Sequence, residues 1–259
     1  MSQPKTYKTE AIILKHADLG EADRLLTLYT PNYGKIRAVA RGVRRTKSKL
    51  GGHVEPLTRC SLVLSHGRNL ETVSQGEIME SFLLIRTDLW RTAQALYLVE
   101  LVDAFTSERA ENYPAYHLLL DSLHLVERVR NVNILFRYFE VQLLEHMGYR
   151  PQLFKCLNCG VPAKPIENFF SPSGGGILCP NCVHAEPVVQ PISVDALKVM
   201  RLLQRGDYAT ADRLRISPSL SRDLERIAQG YVRYLLERDL RSTDFIDRLR
   251  REGVHTEHH

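Results

Sequence analysis

Over the first eighty residues, apolar and polar positions alternate with a period of two, the pattern of strands that bury one face. Clusters of turn residues, among them Pro31–Gly34 and Gly51–Gly52, separate the alternating runs, and no helical periodicity lies between them. The pattern predicts five short strands: Tyr7–Lys15, Arg24–Tyr29, Lys35–Arg41, Leu57–Ser65 and Glu71–Glu77.

Five short strands without intervening helices are typical of a small barrel, which we assign to residues 1–82. The OB-fold is a five-stranded barrel of this size, and it commonly binds oligonucleotides. An SH3-like barrel would have much the same pattern, so the number of strands does not distinguish the two folds.

After Phe82 the apolar positions recur every three or four residues, which predicts helices with one apolar face each. Gly148 stands where a glycine ends a helix, and Ser193 and Ser217, the latter followed by Pro218, are predicted N-caps. The predicted helical segments are Trp90–Ala104, Tyr116–Val129, Ile134–Met147, Ser193–Gln204 and Leu220–Leu235.

Residues 151–191 interrupt the helical pattern with a loop-rich segment that contains many prolines and four of the five cysteines. Because helical periodicity flanks this segment on both sides, we interpret it as an insert between two parts of one helical domain, residues 83–150 and 192–259. The predicted fold class is therefore α+β: a five-stranded barrel, of the OB-fold or the SH3-like type, followed by an α-helical bundle that carries a cysteine-rich insert.

The cysteines of the insert form two C-x2-C pairs, Cys156 with Cys159 and Cys179 with Cys182. Two intervening residues allow both sulfurs of a pair to face one point, and two pairs supply the four soft ligands that tetrahedral Zn²⁺ prefers. Since the protein fills all four positions, the pattern predicts one structural zinc ion per chain in a zinc ribbon.

Other roles for these cysteines are less well supported. A cytoplasmic setting disfavours disulfides, and no βαβ pattern surrounds either pair as in redox proteins. Spacing alone leaves an iron–sulfur cluster open.

The sequence His53–Val54–Glu55 matches part of a nucleobase-deaminase motif, but it is more than a hundred residues from the cysteine pairs. Cys60, in a predicted strand, is expected in the core.

The chain has a formal net charge of +5, and this basicity is local. Seven cations and no acid lie between Lys35 and Leu50, as expected of a surface that binds phosphate. Alternation predicts that the strand cations point outward, and the segment from Gly42 is interpreted as a mobile loop. Tyr33 is a candidate for stacking on bases. The alternative to a phosphate-binding surface is that these cations simply form an ordinary solvated surface. The candidate DNA-binding cations are Lys35, Arg37, Arg41, Arg44, Arg45, Lys47 and Lys49.

Three sequence blocks precede the cysteine insert in a specific order: Glu10–Leu14, Gly20–Thr30 and Gly34–Arg45. With the insert that follows Gly148–Pro151, this order resembles the RecO family over essentially the whole chain. The resemblance implies an OB-fold, a helical bundle and a zinc finger. It also implies a recombination mediator in DNA repair that binds single- and double-stranded DNA and anneals complementary strands.

The resemblance further implies partnership with RecR, contact with the tail of single-stranded-DNA-binding protein, and help in loading RecA onto coated gaps, with RecF a possible indirect partner. It implies no catalytic residues, and the sequence has no phosphate-binding loop of the ATPase type. No apolar run is long enough for a membrane helix, and the polar segment Met1–Thr9 does not begin a signal peptide. We therefore expect a cytoplasmic, nucleoid-associated protein that is not an enzyme.

Two other functions fit parts of the sequence. A metal-dependent enzyme acting on nucleic acid would need clustered carboxylates for Mg²⁺, and the nearest candidates are Glu77 with Glu80 and Asp244 with Asp247. The other function is a zinc-ribbon scaffold that binds only proteins. A salt titration of DNA binding would distinguish this scaffold from a DNA-binding mediator.

Overall fold

The computed structural model describes residues 5–46, 48, 50–129 and 132–254. All five predicted strands are present, and two of them run several residues further than the alternation indicates. The strands are β1 Thr6–Leu19, β2 Asp23–Thr30, β3 Gly34–Ala40, β4 Arg59–Ser65 and β5 Glu71–Glu80. Leu57, the predicted first residue of the fourth strand, instead has a left-handed backbone with φ of 60°.

The five strands form a closed barrel in the order β1-β2-β3-β5-β4. Neighbouring strands are antiparallel except β3 and β5, which pair in parallel and close the barrel. This connectivity is that of the OB-fold, which the number of strands alone does not distinguish from an SH3-like barrel.

Alternate residues of the strands fill the barrel interior, as a period of two requires. Val43 and Val54, from the connection between β3 and β4, complete this core. The strand residues that share it are Ala11, Ile13, Leu26, Leu28, Ile36, Ala38, Ala40, Cys60, Leu62, Leu64 and Val73.

Helices and a small second sheet follow the barrel. The helices are α1 Leu83–Arg86, α2 Leu89–Phe105, α3 Tyr113–Val126, α4 Val132–His146, α5 Val194–Arg205, α6 Tyr208–Asp212, α7 Pro218–Leu236 and α8 Arg241–Arg251. The second sheet consists of β6 Asn168–Ser171, β7 Gly176–Leu178 and β8 Gln190–Ile192. Among the described helices, none combines the length and the apolarity needed to cross a membrane.

The predicted helix ends are confirmed at three positions. Ser193 and Ser217 each accept a backbone hydrogen bond through Oγ at 3.2 Å, and Gly148 has φ of +83° after α4. The predicted start of α3 is three residues late, because Asn112 caps the helix by accepting from the N–H of Ala115 at 3.0 Å. The asparagine cap thus decides where α3 begins.

The chain divides into two compact units. One, the N-terminal unit, contains the barrel, α1 to α3 and residues 244–254, and the other, the second unit, contains residues 129 and 132–243. The bounds inferred from the sequence at residues 82 and 150 coincide with changes in secondary structure, and the domain division drawn from them stays a prediction. Periodicity indicates that a helix has an apolar face but not which element covers that face.

The connection between α2 and α3 covers one end of the barrel. The N–H of Arg109 donates to the backbone oxygen of Lys35 at 2.8 Å, beside an isolated β-bridge between Lys35 and Glu108. Gly34 has φ of +60°, and a Cβ atom there would lie 2.0 Å from the backbone oxygen of Ala110. Glycine is thus required at this turn by both its conformation and its close approach to the connection.

Candidate metal centre and nucleic-acid interface

The structure brings the four predicted cysteines together in the second unit. The Sγ atoms of Cys156, Cys159, Cys179 and Cys182 all lie within 4.8 Å of one another. Those of Cys159 and Cys179 are 3.8 Å apart, the edge length of about 3.8 Å that follows from a zinc tetrahedron with Zn–S bonds of ~2.3 Å. A disulfide would need ~2.05 Å between the sulfurs. The donor set therefore suits one tetrahedral soft metal ion.

Local hydrogen bonds shape the first cysteine pair into a turn. The N–H of Cys156 donates to the oxygen of Val161 at 2.9 Å, and that of Gly160 donates to the oxygen of Cys156 at 3.0 Å. Gly160 has φ of +70°, which lets the chain reverse directly after Cys159. A bond from the N–H of Leu157 to the oxygen of Ile177 at 2.8 Å holds this turn against β7.

The second pair begins a short 3-10 turn, Pro180–Ala185. One sulfur of each pair accepts a hydrogen bond. The N–H of Cys179 donates to Sγ of Cys156 at 3.4 Å, and the side-chain amide of Asn158 donates to Sγ of Cys182 at the same distance. Such donors stabilise thiolate, the form of cysteine that binds metal.

The surroundings of Cys156 favour its thiolate at neutral pH, whereas those of Cys182 favour its thiol. Burial acts to raise the pKa of Cys156, but backbone N–H groups of Cys159, Cys179 and Asn158 outweigh burial and lower it to about 6. Asn158 acts to lower the pKa of Cys182, but the neighbouring cysteine sulfurs raise it to about 11. Four adjacent thiols resist complete ionisation without a cation between them, because like charges repel.

The fifth cysteine has no part in this centre. Cys60 is fully buried in the barrel, where its Sγ donates to the oxygen of His53 at 2.9 Å, and burial raises its pKa to about 12. This confirms the expected core position. Glu55, of the deaminase-like sequence, is bound by Arg24 at 2.6 Å, and the cysteines complete a four-sulfur set without His53.

Two of the carboxylates considered for Mg²⁺, Glu80 and Asp247, pair with basic side chains. Glu80 accepts from Arg59 at 3.0 Å and lies 2.8 Å from Nε2 of His124. Asp247 pairs with Arg250 one helical turn further along α8. Within the described part of the chain, no group of three or more His, Cys, Asp or Glu ligands converges apart from the four cysteines.

The cations of the basic segment differ in their surroundings: Lys35 of β3 pairs with a helix, whereas the loop after β3 is exposed. Lys35 points away from the barrel interior, as alternation predicts, but its side chain is only 12% exposed and pairs with Asp103 of α2. Arg37 is 44% exposed and lies 4.0 Å from a carboxylate oxygen of Glu108. Lys35 is therefore outward-facing yet covered by a helix, a consequence that strand alternation cannot reveal.

Arg41, Arg44 and Arg45 lie together at the barrel end that carries the β1–β2 turn. Arg41 and Arg45 are exposed. Arg44 is partly exposed, donates to the oxygen of Gly20 at 3.2 Å and lies 3.3 Å from Asp18. Lys47 and Lys49 fall outside the described residues. Three of the predicted cations thus share one exposed surface, which we call the arginine loop.

The expectation of a mobile loop is wrong for its first residues. The N–H of Gly42 donates to Asp23 at 2.7 Å, and that of Arg44 donates to the oxygen of Ala22 at 3.0 Å. Val43 is buried in the barrel core. These bonds and this anchor hold the backbone, so Arg44 and Arg45 project from a fixed turn.

Tyr33 lies at the opposite end of the barrel, in the β2–β3 turn, and is 38% exposed. Its ring centroid is 4.6 Å from that of Tyr7, which is 4.7 Å from that of His66. Tyr29 is fully buried, and its hydroxyl donates to the backbone oxygen of Asn112. Sequence reasoning missed Tyr7 and His66, since they come from separate strands that only the barrel brings together.

In comparisons with known proteins, the N-terminal and C-terminal parts of the chain match models of the same protein family. Residues 1–82 match the family model for Recombination protein O N terminal, and residues 86–244 match that for Recombination protein O C terminal. A protein of Roseiflexus sp. (strain RS-1), named DNA repair protein RecO, is 42% identical over 246 residues, which cover 95% of this chain and 87% of that protein. A protein of the same name from Dehalococcoides mccartyi is 38% identical over 254 residues, 98% of this chain and 100% of that protein.

Proposed function

Because this chain belongs to the RecO family of DNA repair proteins, we propose that it is a DNA-binding recombination mediator that anneals complementary strands. The observation that carries the proposal is the arginine loop, Arg41, Arg44 and Arg45, exposed at one end of an OB-fold barrel. OB-folds commonly bind oligonucleotides, and exposed guanidinium groups bind phosphate. We assign phosphate contacts to these residues and to Arg37.

We leave Lys35 out of the proposed DNA contacts, although the sequence placed it among the candidate cations. Its ammonium is already paired with Asp103, so we give it a structural role and leave the phosphate contacts to the arginines. Lys47 and Lys49 follow the arginine loop directly in sequence, and we include them in the basic surface on charge alone.

We assign the four-cysteine centre to one Zn²⁺ ion per chain. The tetrahedral spacing of the sulfurs supports this choice, because zinc prefers four-coordinate thiolate sites. With four protein ligands, Cys156, Cys159, Cys179 and Cys182, the ion has no open position, so its role is to hold the ribbon together rather than to catalyse.

Annealing by such a protein requires no catalytic residue, and we propose that it is not an enzyme. Two strands held on one basic surface repel each other less and meet at a higher local concentration. In the cell we propose that the protein acts with RecR on gaps coated by single-stranded-DNA-binding protein, contacts the tail of that protein, and helps to load RecA. RecF would enter indirectly, and the setting is the cytoplasm at the nucleoid.

The test is annealing of complementary oligonucleotides by pure protein at low salt, with EDTA present and no nucleotide. We expect faster duplex formation than without protein, a rate that falls as salt rises, and activity on strands coated by single-stranded-DNA-binding protein. A protein that only coats strands or only binds proteins would give slower or unchanged annealing. Strand cleavage on addition of Mg²⁺ or Mn²⁺ would instead support an enzyme.

A further inference from the structure

Three aromatic rings form a row across the barrel end opposite the arginine loop. Tyr33 lies in the β2–β3 turn, Tyr7 in β1 and His66 directly after β4. The interplanar angle is 28° between Tyr7 and His66 and 50° between Tyr7 and Tyr33, at centroid distances of 4.7 Å and 4.6 Å. Tyr7 is partly buried at the mouth of the barrel core, whereas Tyr33 and His66 are exposed at the two ends of the row. We call these three residues the aromatic row.

Exposed cations lie in the segments that carry or adjoin the row, and the carboxylate beside it pairs with one of them. Glu71 has a fully buried side chain that pairs with Arg109 at 2.8 Å and lies 3.4 Å from Nδ1 of His66. The side chain of Arg109 nevertheless remains 59% exposed. Arg68 is exposed in the same β4–β5 loop, and Lys5, also exposed, accepts a hydrogen bond from the N–H of His66 through its backbone oxygen. The surface thus combines an aromatic centre with exposed cations in the neighbouring segments.

We propose that the aromatic row binds an unpaired nucleobase of single-stranded DNA, with Arg109 and Arg68 contacting the flanking phosphates. Every base offers a flat π-face for stacking on an aromatic side chain, so the site is independent of sequence. In a duplex the bases are paired and stacked on one another, so their π-faces are not accessible. The row therefore distinguishes single strands from duplex, whereas the arginine loop binds both. This proposal rests on the proposed DNA-binding function.

The barrel connects the two surfaces along β3. From Gly34, next to Tyr33, to Ala40, next to Arg41, the strand rises through six steps of about 3.3 Å, or roughly 20 Å. Arg37 lies midway and is 44% exposed. The two surfaces are thus close enough to contact one strand.

The experiment compares single-stranded and duplex affinities of the double variant Tyr33→Ala/His66→Ala with those of the wild-type chain. Stacking contributes about 1–3 kcal/mol per base, and its removal corresponds to roughly 5- to 150-fold weaker binding of single-stranded DNA. We expect duplex affinity to stay within about two-fold of the wild-type value, because the phosphate contacts remain. Tyr33→Phe/His66→Phe keeps the rings and should retain single-strand affinity, and Tyr234→Ala, which removes an exposed tyrosine from α7, is the matched control.

A second measurement compares two oligonucleotides, and its first arm uses the wild-type chain, so that no variant has to fold. An oligonucleotide with several central abasic sites should bind the wild type more weakly than the intact oligonucleotide, and the double variant should bind both alike. Equal binding of the two oligonucleotides by the wild type, or an equal decrease of single-strand and duplex affinity in the double variant, would overturn the stacking proposal and leave the proposed function standing. If the wild type bound no DNA, both proposals would fall.

Discussion

The ammonium of Lys35 lies 3.2 Å from Oδ1 of Asp103 and 2.6 Å from the backbone oxygen of the same residue. The other carboxylate oxygen of Asp103 accepts from Lys15 at 2.6 Å. This cluster joins β1 and β3 of the barrel to α2. The first cation of the basic segment thus stabilises the N-terminal unit, which leaves the strand and loop arginines as the proposed DNA contacts.

Replacing Lys35 should therefore affect stability more than DNA binding. Lys35→Ala removes charge-assisted hydrogen bonds from a mostly buried carboxylate, and we expect the free energy of unfolding to fall by about 2 kcal/mol. Urea unfolding measures this change. The slope of log K against log salt for DNA should stay as in the wild type, and a reduced slope with unchanged stability would return Lys35 to the DNA-binding surface.

Asp103 should make the stability of the N-terminal unit sensitive to acid. Burial acts to raise the pKa of Asp103, but the hydrogen bond from Lys15 and the charge of Lys35 outweigh burial and hold the pKa below its usual value. A lowered pKa means that this carboxylate stabilises the fold fully above the unfolded pKa of about 3.9 and ceases to do so as pH falls through the folded pKa. Between pH 6 and pH 3, the stability of the wild type to urea should fall further than that of Asp103→Asn, which cannot titrate there. Equal decreases would contradict this role.

The arginines should carry the salt dependence of DNA binding. In the variant Arg37→Ala/Arg41→Ala/Arg44→Ala/Arg45→Ala we expect weaker binding to all sequences, and a salt slope smaller by about 0.7–0.9 for each phosphate that is no longer neutralised. Their exposure implies that the fold is retained. The matched control removes the same charge from four exposed arginines of the second unit: Arg213, Arg215, Arg222 and Arg238. If this control weakened binding as much, overall charge rather than the arginine loop would explain the effect.

The cysteines should differ in reactivity according to their surroundings. Metal analysis should find about one zinc per chain, as a four-thiolate site requires. In the native protein we expect little reaction with a thiol reagent near neutral pH, because metal shields four cysteines and Cys60 is buried with its pKa raised to about 12. A chelator should expose four thiols, and the fifth should react only after denaturation. Protein purified without chelator that contained neither zinc nor iron would contradict the metal assignment.

Metal removal should also destabilise the second unit selectively. Binding free energy at a structural zinc site contributes to folding, so Cys156→Ser should lower the melting temperature of that unit. Proteolysis after chelation should then cut within 151–191 before it cuts the barrel. The control is Cys60→Ala, which retains the metal and should instead destabilise the barrel core.

The sequence predicted the strands, most helices and the two cysteine pairs because each depends on local chemistry. A period of two fills the barrel interior in β1 to β5, and the spacing of Cys156 with Cys159 and Cys179 with Cys182 suits one metal ion. The serine caps Ser193 and Ser217 act within one helical turn. Within each strand, cap and cysteine pair, the residues that act together are neighbours along the chain or repeat with its secondary structure.

What the sequence by itself determined about this protein is therefore its elements, its donor set and its family. Only the tertiary structure decided that β3 pairs with β5 in an OB-fold barrel, that Asp103 engages Lys35, and that Tyr7, Tyr33 and His66 share one surface. These relationships join residues far apart along the chain. Alternation places a side chain inside or outside a barrel, but whether an outward side chain meets solvent, a carboxylate or another ring depends on what the fold packs against it.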